Sequence, residues 1–537
     1  MHKPDSMPRS SQQLMPLFTL VDSKPTSENL PPTEVKQSQY VKSLIPILKD
    51  ACLLALFVCA YLYSRLFYSP GVPYLVTADQ TFFWQYALRM SNGEHVYRDF
   101  FQFTPPGLDL YFLALFRLFD KKIWVTSLAA ILLGVALSVI CFTLASKFMR
   151  RSEALLTAMF FIVLVYGGRL DVTHHWFSLI AALGATRLVM ESRSVPRLVG
   201  AGILLAVASS FTQTAGVAVG VGMLLVSAWE HNCEKSCHTT FRNQSLLLVS
   251  FCTAWLVLNA YFLATAGFKA LWYFQVIYPW HYIDHTRGFL IPSLRGIGGL
   301  VLIQRLFIYI LLVSVYPLVF WGCWRNQQRG SREGIQSLLL ATAGLFLLLS
   351  VITRSNWTRL YAVSMPAIIL WMRFLLKLTP HKLRRWTILS LYGATVCLAA
   401  LQVRSVRRQQ YTMLKLHGGT MAIAHTDVEE FQWLEAHTKP GEDFFQATWP
   451  SMYLPLGLRS PVFVETLLPE RTSPEFAALT IQQIEQSQLP YILWSPWLQP
   501  DSKHPEADNL QRVRDYIKNH YVRIQVFANR DEMWQLK

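Results

Sequence analysis

Three short stretches of this sequence gather ionisable residues where packing alone leaves them little to do. The first runs from Thr77 to Gly107, TADQTFFWQYALRMSNGEHVYRDFFQFTPPG. It has Asp79 near its start, a glycine turn at Gly93, then Tyr97, Arg98 and Asp99, and a Pro105-Pro106 stop. The second, GGRLDVTHHW, holds Arg169, Asp171, His174 and His175, and the third, TRSNWTRLY, holds Arg354 and Arg359. Carboxylates and imidazoles move protons, and an arginine fork matches the paired oxygens of an anion. Each residue also has a plainer reading. Thr77 with Gln80 fits a capping box, and an acid in a first helical turn favours the helix dipole. Arginines at the rim of an apolar segment snorkel to lipid headgroups, and Arg98 beside Asp99 reads first as an ion pair that holds the loop. Position weighs toward chemistry: all three stretches adjoin apolar segments, and ionisable residues at a membrane boundary are functional candidates.

The elements that must position these residues follow from composition. Of 537 residues, 52% are hydrophobic and 15% charged, against about 25% charged in ordinary soluble domains. The deficit is uneven. Apolar blocks of about 20 residues, enough to cross a bilayer, recur from Ile45 to Val403 and then stop. Residues 1–41 are polar, rich in Ser, Pro and Gln, and read as a disordered cytoplasmic tail. About eleven spans are expected, near residues 45–67, 123–146, 154–168, 174–190, 198–212, 214–229, 245–265, 298–323, 335–353, 357–376 and 386–403. Lys and Arg concentrate in the loops that alternation assigns inside, as the positive-inside rule requires. Residues 68–122 then form a first outer loop with in-plane helices, because Pro105–Phe119 is too short to span. The loop from Gly267 to Gly296 is dense in aromatics, which suits a belt at the membrane interface or a surface for a sugar ring or lipid tail.

The fold class expected is mainly α: a polytopic membrane helical bundle over 42–403, followed by a small soluble α/β domain over 404–537 on the outer face. In that domain Thr426 to His437, Ser473 to Gln488 and Asp508 to Tyr521 read as helices. Phe444–Ala447, Pro461–Val464, Tyr491–Trp494 and Val522–Phe527 read as strands. The net charge of +16 does not indicate nucleic acid, since the basic residues fall in clusters between apolar blocks rather than along one polar face. Eight cysteines are present, none in the first outer loop and none after Cys397, which excludes a disulfide framework on the outer face. Cys233 and Cys237, near His231 and His238, are too loosely spaced to point to a metal and read as free thiols.

An acid soon after the first span, an in-plane helix, a glycine turn before Tyr-Arg-Asp and a Thr-Pro-Pro-Gly opening a second helix together resemble the first outer loop of the C-type (GT-C fold) membrane glycosyltransferases. Bacterial examples are the aminoarabinose (ArnT-like) transferases and the RgtA/B/C/D-type lipid-sugar transferases; protein O-mannosyltransferases and the oligosaccharyltransferase catalytic subunit are more distant. The resemblance covers roughly residues 45–400. It implies transfer of a sugar from a polyprenyl-phosphate donor to a lipid, glycan or protein acceptor, on the non-cytoplasmic side of a bacterial inner (plasma) membrane. In that family the first-loop acid acts on the acceptor, and here that position is Asp79. One carboxylate taking the acceptor proton while the lipid phosphate departs implies inversion; retention would need a second acid nearby, for which Asp99 is the candidate.

The sequence departs from the family in two places. Gln80 stands where relatives often carry a second acid, and Thr104 where aminoarabinose transferases carry a lysine. Donor phosphate binding therefore falls to Arg354 and Arg359. Family members that use a metal place an acid near Asp171, so a divalent cation is a candidate cofactor. Adjacent histidines point different ways on a helix, which weighs against His174 and His175 sharing one ion; one of them orients the acceptor or assists Asp79. Tyr97, Arg98 and Asp99 support the acceptor or the loop. The rival reading is a transporter or lipid flippase without glycosyl transfer, which predicts internal repeats and ionisable residues at mid-membrane; no clear repeat is found.

Overall fold

The computed structural model describes residues 32–234, 237–282, 292, 294, 299–325, 331–352, 356–469, 471–500 and 508–537. Arg354 lies outside the described residues, as do the side chains of Cys233, Cys237, His231 and His238. Residues Met1–Asp50 form one unit and Ala51–Lys537 another. What is described of the first is the helical start of α1, Pro32–Leu66.

The second unit is a helical bundle followed by a smaller β-containing region. After α1 come a short hairpin, β1 (Phe67–Ser69) and β2 (Val72–Pro73), then α2 (Gln80–Ser91), α3 (Gly107–Phe119), α4 (Ile123–Ala145) and α5 (Arg151–Phe161). A π-helical stretch, Ile162–Tyr166, and a 3-10 turn, Gly167–Arg169, extend α5. Next follow α6 (His174–Glu191), α7 (Val195–Phe211), α8 (Gln213–Glu234), α9 (Cys237–Trp272), α10 (Tyr278–Tyr282), α11 (Gly299–Arg325), α12 (Arg332–Ile352), α13 (Trp357–Ala362), α14 (Met365–Leu378) and α15 (His381–Arg407).

All eleven expected spans are helical. Six helical stretches are long and apolar enough to cross a membrane among the described residues: Ile123–Ala145, Arg151–Arg169, Thr240–Tyr282, Val301–Arg325, Arg332–Ile352 and His381–Arg407. The chain is an integral membrane protein. The apolar α7 falls short of a full crossing. The 17 residues of α7 reach about 25 Å against a hydrocarbon core of about 30 Å.

Two expectations need correction. The span read at 357–376 is broken into α13 and α14, because Val363 leaves the helical region and Pro366 opens a new first turn, where a missing N–H costs nothing. The segment read as a loop from Gly267 is helical as far as Tyr282. It is turned by Gly267, whose φ of 82° a residue with a Cβ rarely adopts. Phe268, Trp272 and Trp280 on this segment are exposed, as an interfacial belt requires, whereas Phe274 and Tyr278 are buried.

The C-terminal region begins with a hairpin of β3 (Tyr411–Leu416) and β4 (Gly419–Ala424), and α16 (Val428–His437) follows. Then come β5 (Phe445–Gln446), α17 (Tyr453–Leu456), α18 (Pro474–Ser487), β6 (Tyr491–Trp494), α19 (Gln511–His520), β7 (Tyr521–Val526) and β8 (Glu532–Leu536). The sheet order is β5-β6-β8-β7, with β5 and β6 parallel and the other pairs antiparallel. The expected α/β pattern holds except at Pro461–Val464, which joins no strand ladder. The sequence reading also missed β3, β4 and β8, whose partners lie across turns that composition did not flag.

The C-terminal region packs on the same side of the bundle as the loop between α1 and α4. The Leu75 N–H donates to the Ala422 carbonyl at 2.9 Å, Ile123 N–H to Gly418 at 3.0 Å, and Phe101 N–H to Phe463 at 2.8 Å. The loop itself is fastened to the bundle at Gly107, where an added Cβ would stand 2.5 Å from the Ser210 carbonyl oxygen of α7. Only glycine lets α3 come this close.

Candidate active site

Asp79 sits at the N-cap position of α2, with φ −52° and ψ −26°, yet its side chain caps nothing. The first helical residue is Gln80, so Thr77 lies too early to close a capping box, and only the helix-dipole half of the plain reading survives. Among the described residues no hydrogen bond or ion pair satisfies the Asp79 carboxylate. It is half-buried, where α2 meets the stretch that follows α5.

That second stretch is stitched onto the first turn of α2. The Gln80 backbone N–H donates to Asp171 Oδ1 at 3.2 Å, and its side chain accepts from the Val172 N–H at 3.3 Å while donating to the Val76 carbonyl at 3.1 Å. Gln80, standing where an acid was expected, is thus the clamp between the two loops. It leaves Asp171 buried beside Asp79, with Oδ2 unpartnered. An amide fits this place better than an acid, because it both donates and accepts and adds no third negative charge.

Three arginines from three separate parts of the chain surround this acid pair. The charges of Arg169, Arg359 and Arg471 all act on Asp79, and that of Arg169 on Asp171 as well. Burial raises the Asp79 carboxyl above the usual carboxylate range against these three pulls. Asp171 is raised too, by its burial and by the Asp79 charge beside it. Arg359 is presented by α13, whose cap Asn356 accepts from the Arg359 N–H at 2.8 Å.

His174 and His175 open α6 at the edge of the same site. His174 Nδ1 lies 2.8 Å from Thr212 Oγ1, and its ring is 5.6 Å from that of Phe83 in α2. The two imidazoles lie close together, with centroids 3.9 Å apart and ring planes tilted by 40°, so the expectation that neighbours on a helix diverge does not hold here. The helix start leaves their side chains free to fold over the same turn. Arg359 also reaches both rings with its charge.

The structure does not bring Tyr97, Arg98 and Asp99 to Asp79. They follow the opposite end of α2, whose 12 residues put about 18 Å between the two ends. Asp99 is tied to Arg98 at 2.7 Å and to the His95 N–H at 2.7 Å. The Tyr97 hydroxyl donates to the Thr104 carbonyl at 3.2 Å and accepts from Gln275 at 2.9 Å. These residues hold the loop's shape, the loop-support half of their expected role, and Asp99 is no second acid for Asp79.

Among the described residues no three His, Cys, Asp or Glu side chains gather to hold a metal ion. Asp79 and Asp171 are two carboxylates ringed by arginine charge, a setting that repels a divalent cation rather than ligating it. The residues present do not fit such a cofactor.

Sequence reasoning missed Arg471 and Trp449, both from the C-terminal region. The Trp449 ring stands 4.8 Å from that of Phe82, in the first turn of α2, and the Tyr278 hydroxyl donates to the Arg471 carbonyl. No local pattern marks either residue. Asp109 was also passed over: buried in the first turn of α3, it accepts from Gln102 at 3.2 Å, and burial pushes its carboxyl up to about 8.

A long first loop with two short helices, a membrane bundle and a C-terminal domain seated on that loop make up the fold of the C-type membrane glycosyltransferases. Among solved structures it is similar to ArnT from Cupriavidus metallidurans bound to undecaprenyl phosphate, with TM-score 0.56 and 12% identity over 91% of this chain and 98% of that one. It is also similar to the archaeal oligosaccharyltransferase AglB from Archaeoglobus fulgidus in complex with an inhibitory peptide and a dolichol-phosphate. There the TM-score is 0.52 and the identity 12% over 88% of this chain and 72% of that one. The A. fulgidus oligosaccharyltransferase in complex with Zn and sulfate matches with TM-score 0.50 and 13% identity, over 82% of this chain and 67% of that one. At these identities the likeness is one of fold. No protein-family model matches the sequence, and no curated protein matches it.

Proposed function

We propose that this protein moves a sugar from a polyprenyl-phosphate donor to an acceptor hydroxyl, with inversion, using Asp79 as the base. One observation carries the reading. A half-buried carboxylate, free of hydrogen bonds among the described residues, is held at a helix start beside a second buried acid and within reach of three arginine charges. The acceptor O–H gives its proton to Asp79. Its oxygen forms the new bond to the anomeric carbon as the bond from that carbon to the phosphate oxygen breaks, and the lipid phosphate leaves as an anion. Arg359 faces that departing charge, and positioning plus charge stabilisation supply the rate. Burial keeps the Asp79 carboxyl basic, and Asp171 stands beside it, fixed in place by Gln80. The likeness to proteins whose structures hold undecaprenyl phosphate and dolichol-phosphate supports a lipid-phosphate donor.

The site lies on the side that carries the C-terminal domain, and the charge pattern of the loops supports the reading that this side faces away from the cytoplasm. Asp79→Asn tests the chemistry: transfer is expected to fall by roughly 10²–10⁴-fold while insertion and folding are unchanged, and retained transfer removes the mechanism. Gln486→Cys, at an exposed position of α18, tests the orientation. A membrane-impermeant maleimide should label it in intact cells, and labelling only after lysis reverses the topology.

A further inference from the structure

We infer that the C-terminal domain completes the donor-phosphate site by bringing Arg471 to the side of α2 whose first turn follows Asp79. The inference rests on the transferase reading above and adds a residue that lies far along the chain from the loops that build the site.

The domain is docked by a latch with little freedom. Arg89, near the end of α2, donates to the Val462 carbonyl at 2.7 Å and pairs with Glu465 at 3.1 Å, and Gln85 donates to Glu465 at 2.9 Å. The Arg89 and Glu465 side chains are 5% and 0% exposed. The segment that follows Glu465 is therefore set against α2, and its hydrogen bonds carry it to Arg471. Leu467 N–H donates to the Ala447 carbonyl at 3.0 Å, Arg471 N–H donates to the Leu468 carbonyl at 3.1 Å, and the Tyr278 hydroxyl holds the Arg471 carbonyl from the bundle side. On the neighbouring turn Trp449 closes over Phe82 at 4.8 Å. The backbone of Arg471 is thus fixed from two directions, while its side chain is exposed and in no ion pair among the described residues. An exposed arginine whose charge reaches Asp79, with no ion pair among the described residues, is suited to an incoming anion.

The test measures binding of undecaprenyl phosphate to the purified full-length protein, by quenching of tryptophan fluorescence. Arg471→Ala is expected to weaken binding about tenfold or more, as loss of one charge-assisted contact does. Arg471→Lys should recover part of the loss, and Arg523→Ala, in the same domain but paired to Glu532, should change nothing. Arg359→Ala separates two kinds of failure. If it weakens binding while Arg471→Ala does not, Arg471 is a surface arginine and the inference falls with the transferase reading intact. If the unaltered protein does not bind the lipid, both fall together.

Discussion

The two ends of α2 carry similar residues and use them in opposite ways. At its C-terminal end Arg89 is paired to Glu94 at 2.5 Å and to Glu465 at 3.1 Å, and also donates to the Val462 and Asp99 carbonyls. At its N-terminal end Asp79 has three arginine charges within reach and an ion pair with none of them among the described residues. A buried charge fully paired is a fastener: its desolvation is offset by close partners, and removing one leaves the other stranded. A half-buried charge without a close partner keeps its reactivity for a substrate, and its raised affinity for a proton is what a base requires. Distance, not residue type, divides architecture from chemistry along this one helix.

Substitutions at the two ends should therefore separate in what they damage. Asp79→Asn, the largest expected effect, abolishes transfer while the melting temperature of the purified protein stays near that of the parent. Glu465→Ala should act in reverse order, lowering stability by about 1.5–3 kcal/mol as Arg89 keeps Glu94 but loses its buried partner in the C-terminal region, visible as a lower melting temperature. Transfer would be lost only as the domain undocks. Equal loss of stability from both substitutions would erase the distinction.

A smaller effect sharpens the picture of the unpaired end. Activity needs Asp79 without its proton, so the rate should rise with pH through a limb set above the ordinary carboxylate value of about 3.9. Asp171, pushed up to about 7 by its burial and by the Asp79 charge, keeps its proton while Asp79 loses its own, so Asp171→Asn should leave that limb in place. A limb that moves to lower pH shows that Asp171 is already charged when Asp79 titrates.

Some of this was legible in the chain before any coordinates. Asp79 stood out because an acid just after an apolar span is costly unless it is used, and Asp171, His174 and His175 stood out for the same reason at the next outer loop. The helical bundle followed from apolar run length, and the C-terminal helices and three of its four sheet strands from periodicity. The misreadings have local causes. Tyr97, Arg98 and Asp99 share a loop with Asp79, but sequence adjacency says nothing about which end of a 12-residue helix a side chain occupies. The loop read from Gly267 is helical because its aromatics, Phe274 and Tyr278 among them, pack against Phe101 and Phe476. Those partners are invisible to a window of neighbours.

Composition and hydrophobic run length by themselves determined that this is a membrane-embedded helical protein with its ionisable residues at the bilayer's edge, because transfer of apolar surface and of charge between water and lipid depends on residue type alone. Tertiary structure alone decided which charges meet. Gln80 became a clamp, Arg89 a fastener and Arg471 a neighbour of Asp79 because electrostatic and hydrogen-bond energies depend on separations of a few ångströms. Those separations are set by packing between segments hundreds of residues apart.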